Sequence, residues 1–273
     1  MNALPLSCPI CREQLQLHVA SNGFYCVNQH HIDPSENGVY SLLISKKHKL
    51  QSVSRQQMRT KQFLLASGLY DPLVDTVNAM VAELPVSEGE MHHLDYQCAD
   101  GFFLRAIVNA CKQDWHHWGV SDAENALFSA AKQQTPGRLL LGTMKRLPFT
   151  DASMDLITVI DSPLKGKECL RVLKPDGKII VVIPDTRHLW ELKQIIYPNL
   201  EDKPLQLNLP KGLAVDKQID VNVTQRVSAQ QAKDLLSMAS FSWRVDSNMN
   251  HELLQCNEMD VQFAWKVLLL SVS

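Results

Sequence analysis

The sequence predicts an α/β protein, a mainly parallel, doubly wound sheet preceded by a small metal-binding ribbon. Three observations carry that expectation. Between residues 91 and 183 the hydrophobic period switches repeatedly from about two to about 3.6, strand then helix, which is the pattern of parallel strands joined by crossover helices. Ahead of it stand Cys8-Pro9-Ile10-Cys11 and Cys26-Val27-Asn28-Gln29-His30, two ligand pairs of C-x2-C and C-x3-H spacing. The other four cysteines, Cys98, Cys111, Cys169 and Cys256, are scattered through apolar segments, and a total of seven suits a reducing compartment better than a disulfide framework.

Bulk properties narrow the class further. A chain of 273 residues has room for a small module and one α/β domain of ordinary size. With 45% hydrophobic and 21% charged residues it is excluded from the disordered and fibrous classes. Its longest apolar runs, 179–183 and 267–270, are too short to cross a bilayer, and the N-terminus lacks a basic-then-apolar signal pattern. A cytoplasmic protein with no membrane partner is expected. The net charge of −2 hides an asymmetry, because residues 1–65 carry seven Lys or Arg against three Asp or Glu. Lys46, Lys47, Lys49, Arg55, Arg59 and Lys61 lie within residues 37–70, where no acid occurs. Such a run attracts phosphates, or it is the solvated face of a linker.

In the ribbon, residues 15–25 alternate like a short hairpin with Ser21-Asn22-Gly23 as its turn. A tight turn within each ligand pair lets two thiolates, or a thiolate and an imidazole, converge on one tetrahedral Zn2+. Spacing leaves His30 and His31 open as the fourth ligand. Four protein ligands leave no free coordination position, so the metal is expected to be structural, holding together a module too small for its own core. Helices are then expected over 56–66 and 71–84, the second opening near Pro72 and stopped by Pro85. Strands are expected over 91–96, 115–120, 138–141, 154–160 and 178–183. Helices over 102–111, 123–133 and 165–173 separate them, and Lys174-Pro175-Asp176-Gly177 reads as a turn. In such sheets ligands bind at the carboxyl ends of strands where strand order reverses. Residues 96–101, 120–122, 144–149 and 160–163 should therefore surround one crevice. Phe63 and Tyr70 have the spacing of helical core residues, with stacking on unpaired bases as the other reading.

Two segments are more specific than periodicity. Arg146-Leu147-Pro148-Phe149-Thr150-Asp151-Ala152-Ser153-Met154-Asp155 and Arg171-Val172-Leu173-Lys174-Pro175-Asp176-Gly177 resemble signatures of class I methyltransferases, whose sheet is Rossmann-like. Together with the ribbon, Gly38-Val39-Tyr40, the segment His188-Leu189-Trp190-Glu191-Leu192-Lys193 and Phe241-Ser242-Trp243-Arg244, they make nearly the whole chain similar to the bacterial large-subunit (23S) rRNA guanine-N1 methyltransferases. The resemblance implies a zinc ribbon over 1–45, a basic linker with helices over 46–85 and an S-adenosylmethionine-dependent domain over 86–273. It implies zinc ligands Cys8, Cys11, Cys26 and His30, an rRNA hairpin as partner, and methyl transfer to N1 of a guanine. It allows a homodimer. Carried over by position, the cofactor-binding residues are Asp95, Gln97, Gly101, Ser121, Asp122 and Leu147, and Asp161, in Asp161-Ser162-Pro163, is the catalytic candidate facing the target base.

The chain also departs from the family. Its cofactor loop reads Asp95-Tyr96-Gln97-Cys98-Ala99-Asp100-Gly101, so Gln97 and Ala99 stand where the family has glycine, and Ser121 stands where it has a ribose-binding acid. Glycines there let the backbone approach the cofactor closely. Two functions follow as expectations: an active methyltransferase, or an RNA-binding or ribosome-assembly protein that keeps the scaffold without catalysis.

Overall fold

The computed structural model describes residues 4–44, 50–85, 89–111, 114–164, 166–239, 241, 253 and 257–273. Lys46, Lys47, Lys49 and the segment Ser242-Trp243-Arg244 lie outside the described residues.

The ribbon begins with β1 (Gln16–His18), β2 (Gly23–Tyr25) and β3 (His31–Ile32), a small antiparallel sheet. The expected turn is present: Asn22 takes a left-handed φ of 53°, and His18 pairs with Gly23 across it. β4 (Val39–Ser41) then leaves the ribbon and becomes an edge strand of the main sheet.

Two helices follow, α1 (Arg55–Ala66) and α2 (Asp71–Ala82). α1 starts on a reciprocal cap in which Ser54 and Gln57 each bond the other's backbone N–H, and Pro72 sits in the first turn of α2. The α/β alternation is as expected: β5 (Met91–Tyr96), α3 (Phe102–Ala110), β6 (Trp115–Ser121), α4 (Glu124–Lys132), β7 (Arg138–Leu141), β8 (Met154–Val159), α5 (Gly166–Val172) and β9 (Leu173–Pro184). Lys174-Pro175-Asp176-Gly177 is looped out within β9, because Met154 pairs with Leu173 and Leu156 with Lys178. Gly177 is required there: a Cβ would lie 2.8 Å from the Leu173 side chain and 3.0 Å from the Met154 carbonyl.

Four elements beyond the expected core complete the fold. They are α6 (Trp190–Ile196), the long pair β10 (Leu213–Ser228) and β11 (Glu258–Val272), and α7 (Ala229–Met238) between those strands. The main sheet runs β10-β11-β9-β8-β5-β6-β7-β4, parallel from β9 through β4, with β11 antiparallel to both β9 and β10. This is the class I methyltransferase sheet. Strand order reverses between β5 and β8, so the crevice lies at their carboxyl ends.

The sheet divides the core. On one side Leu73, Val77 and Met80 of α2, Leu192 of α6 and Leu235 of α7 pack with Phe263, Trp265 and Val267 of β11. On the other, Leu6, Leu15, Phe24 and Tyr40 of the ribbon share one cluster with Leu94, Trp118, Leu140 and Phe149. The ribbon's core is thus continuous with that of the sheet. No helix among the described residues is long and apolar enough to cross a membrane.

Candidate active site and metal centre

The ribbon brings Cys8, Cys11, Cys26 and His30 together. Their Sγ and Nδ1 atoms all lie within 4.8 Å of one another, with Cys11 Sγ to Cys26 Sγ at 3.5 Å and Cys26 Sγ to His30 Nδ1 at 3.4 Å. Each knuckle closes through a left-handed residue, Arg12 (φ 75°) after the first pair and Gln29 (φ 62°) inside the second. The separations and the three-thiolate, one-imidazole donor set fit one tetrahedral Zn2+. His30 is the histidine that joins the cluster; the His31 ring is instead stacked on Tyr25 at 5.9 Å and edge-on to His18 at 5.5 Å.

At the crevice, the loop from β5 to α3 keeps a path that glycines normally trace. Gln97 (φ 62°), Ala99 (φ 50°) and Gly101 (φ 73°) all lie in the left-handed region, two of them at the expense of side-chain strain. Gly101 is fixed by packing, since a Cβ would come 2.7 Å from Thr135. Gln97 donates from Nε2 to Asp122 Oδ1 at 2.6 Å and accepts the Asp122 N–H at 3.3 Å. Its amide therefore occupies the carboxylate expected to meet the ribose. The Ser121 hydroxyl is buried and accepts the Ala123 N–H at 3.1 Å. Leu147 is buried on the ribbon side of the sheet, with its N–H on Glu168 at 2.7 Å. Asp95, Gln97, Gly101 and Asp122 thus meet around one loop, with Ser121 and Leu147 buried near it.

The charges are concentrated here. Asp95 is 3% exposed, and burial pushes its carboxyl up to about 7, opposed by a hydrogen bond from Thr158 and by the Lys61 ammonium. Lys61 reaches in from α1 and donates to Asp161 Oδ2 at 2.7 Å. Burial works against its charge, yet Asp161, Asp100 and Asp95 around it hold its pKa above the ordinary lysine value. α1 and the segment before it cross the crevice like a strap: Met58 packs on Ala123 and Ala126, Gln62 bonds Ser129, and Gln51 N–H, ahead of α1, bonds the Asp122 carbonyl at 3.1 Å. Asp95, Asp100 and Asp161 gathered around one cation, beside a loop that turns left-handed at three residues, fit a cationic nucleoside cofactor in path and charge. Gln97 is the departure.

Asp161 itself is left-handed (φ 56°) and exposed at the end of β8. It rims a cavity of about 280 Å³ whose wall includes Tyr70, Phe103, His188, Phe241 and Trp265. His188 and Trp265 lie 4.9 Å apart, and Tyr70 and Trp265 5.6 Å apart. Burial lowers the His188 pKa to about 4, so that ring is neutral at physiological pH. Helical spacing hid Tyr70 as a core residue, and Trp265 lies on β11, which periodicity did not single out. Phe63, in contrast, is exposed on α1.

Residues 94–181 match the methyltransferase domain family. The chain carries an S-adenosylmethionine-dependent methyltransferase domain. The matched segment of the methyltransferase domain runs from β5 through most of β9 and includes the loop and Asp161. Relatives extend beyond it. A Bacillus subtilis protein named "Putative 23S rRNA (guanine-N(1)-)-methyltransferase YxjB" is 22% identical over 269 residues, 93% of this chain and 92% of that protein. A Micromonospora griseorubida protein of the same printed function is 27% identical over 68% of each chain. Among solved structures, an S-adenosylmethionine-dependent methyltransferase from Aquifex aeolicus aligns with a TM-score of 0.46 at 16% identity, covering 79% of this chain and 98% of that one.

Proposed function

We propose that this methyltransferase acts on 23S rRNA, transferring a methyl group from S-adenosylmethionine to N1 of a guanine, with a zinc-stabilised ribbon and the basic segment before and within α1 holding an RNA hairpin. The observation that carries the reading is the double membership of Asp161. It belongs to the charged recess through Lys61 and rims the aromatic cavity next to it. A base turned out of its stack and held between aromatic rings would present a ring nitrogen to this carboxylate.

S-adenosylmethionine, when bound, supplies a methyl group on a positively charged sulfur. Asp95 and Asp100 would hold the positive charge, the 97–101 backbone would follow the methionine portion, and Asp122 would meet the ribose once Gln97 turns aside. Guanine N1 carries its proton near neutral pH. Asp161, paired with Lys61, would accept that proton, and the aromatic wall would align N1 for in-line attack, positioning being the larger part of the acceleration.

A second reading is favoured by one contact. The Gln97 amide on Asp122 closes the ribose position from within, as expected of an RNA-binding or assembly protein that has dispensed with the cofactor. Equilibrium binding of S-adenosylmethionine to the purified chain, followed by methyl transfer to 23S rRNA, separates the two. Micromolar binding with N1-methylguanine in the product supports the enzyme. Absence of binding into the millimolar range removes it and leaves the assembly role.

A further inference from the structure

A line of buried polar groups runs along one face of the sheet, away from the crevice. Asp95, His93 and Thr158 are 3%, 0% and 0% exposed, and His117, at the far end, is 8% exposed. The register explains their meeting. His93 pairs with His117 across β5 and β6, and Asp95 pairs with Thr158 across β5 and β8, so all four side chains emerge on the same face. Thr158 Oγ1 donates to Asp95 Oδ1 at 2.9 Å, His93 Nε2 lies 3.0 Å from Thr158 Oγ1, and His93 Nδ1 lies 2.9 Å from His117 Nδ1.

The hydrogens of this line are fixed by elimination. The single hydroxyl hydrogen of Thr158 is spent on Asp95, so His93 Nε2 carries a hydrogen and donates to Thr158. Burial and the neighbouring His117 keep His93 neutral, which leaves its Nδ1 bare. His117 must then donate from Nδ1. Every hydrogen bond points toward the carboxylate, and reversing all of them together gives an equally satisfied line that ends on a protonated Asp95.

We infer that Asp95, Thr158, His93 and His117 form a proton relay leading from the crevice toward the amino-terminal ends of β5 and β6. The step balances atom by atom. The Asp95 proton passes to Thr158 Oγ1, the Thr158 hydrogen to His93 Nε2, the His93 Nδ1 hydrogen to His117 Nδ1, and the His117 Nε2 hydrogen to water. The arrangement left behind is the one the structure shows, with Asp95 ionised. A recess that must be anionic to admit a cation, and that is strapped over by α1, gains a way to discharge its proton without opening. At the Asp95 end the line faces Lys61 of α1 and Cys98 and Asp100 of the loop; at the His117 end it faces His116 and Asp114. The relay rests on the proposed function only in giving Asp95 a cationic ligand.

The test follows the two ends separately. In the parent protein, the Asp95 carboxyl 13C shift and the His117 ring 15N shifts should change together with one midpoint near pH 7. The ring's own titration, pushed down by burial to about 4, lies well below that range. Thr158→Val should leave an Asp95 titration that His117 no longer senses, and Thr158→Ser should restore the coupling. A His117 ring silent near pH 7 in the parent, or one that still follows Asp95 in the valine variant, would overturn the relay. With S-adenosylmethionine as the probe at pH 6.5, an indicator dye should report proton release as fast as binding in the parent and at least about tenfold slower in Thr158→Val; equal rates count against the relay. If the parent binds no S-adenosylmethionine, the proposed function fails, and the relay is decided by the spectra alone.

Discussion

At the scale of single residues, Gln97 and Ala99 break a local rule and keep the shape the rule protects. A side chain in the left-handed region costs about 1–2 kcal/mol relative to a right-handed residue, and glycine escapes most of that cost. Such strain persists where surrounding structure imposes it, and it collects at ligand sites. Restoring both glycines (Gln97→Gly with Ala99→Gly) removes the strain and frees the Asp122 carboxylate from the Gln97 amide. The expected outcome is at least about tenfold tighter S-adenosylmethionine binding by calorimetry, with a change in unfolding free energy within about 1 kcal/mol because glycine also loosens the unfolded chain. Equal affinity in parent and double variant would show that Gln97 swings away at no cost. The sequence made the substitutions visible. It could not show the Gln97 amide reaching Asp122, because that contact joins two strand ends 25 residues apart.

At the scale of elements, the ribbon is tied to the sheet more firmly than its separate spacing pattern suggests. Val39 pairs with Leu139, the Leu42 N–H bonds the Leu141 carbonyl at 2.9 Å, and the Phe24 ring packs against Tyr40 at 4.4 Å. Cys26→Ser is expected to release the metal, shown by a zinc content falling from one per chain toward zero. Loss of a structural zinc withdraws the folding free energy of its module. Because β4 covers the edge of β7, amide exchange at Leu140 and Leu141 should then quicken together with exchange in β2. Protection of β7 unchanged after metal loss would mean that β4 stays docked without its ribbon. Legibility at this scale differs from strand to strand. β5, β6 and β8 lie inside the sheet, and β8 reads as an apolar strand, whereas the buried histidines of β5 and β6 interrupt the apolar pattern. β10 sits at the sheet's edge, where Ile219, Val221 and Val223 alternate with polar residues; the alternation marks a strand, but the pairing with β11 joins two segments that no local pattern links.

At the scale of the whole molecule, the buried histidines set the response to acid. Burial lowers His92, His117 and His188 to about 4 and takes His93 well below its ordinary value. Between pH 6.5 and about 4 the unfolded chain binds protons at these rings that the folded chain refuses, so their contribution is full above pH 6.5 and is lost as pH falls. Asp95 acts in the opposite sense. Its carboxyl is raised to about 7, so between pH 4 and 7 the folded chain holds a proton that the unfolded chain has released, and this favours folding as pH drops. One carboxyl stands against four rings. His117, displaced to about 4, is worth at most roughly 3 kcal/mol, and the partly exposed His92 and His188 contribute less. The net expectation is a loss of a few kcal/mol in unfolding free energy from pH 7.5 to pH 4.5, read from urea denaturation midpoints. Asp95→Asn removes the opposing carboxyl and should steepen that loss, whereas His188→Phe, which deletes one ring and keeps an aromatic wall, should shallow it. Stability that holds level or rises over the same interval would mean that these rings accept protons in the folded chain, and the neutral tautomers on which the relay depends would fall with it.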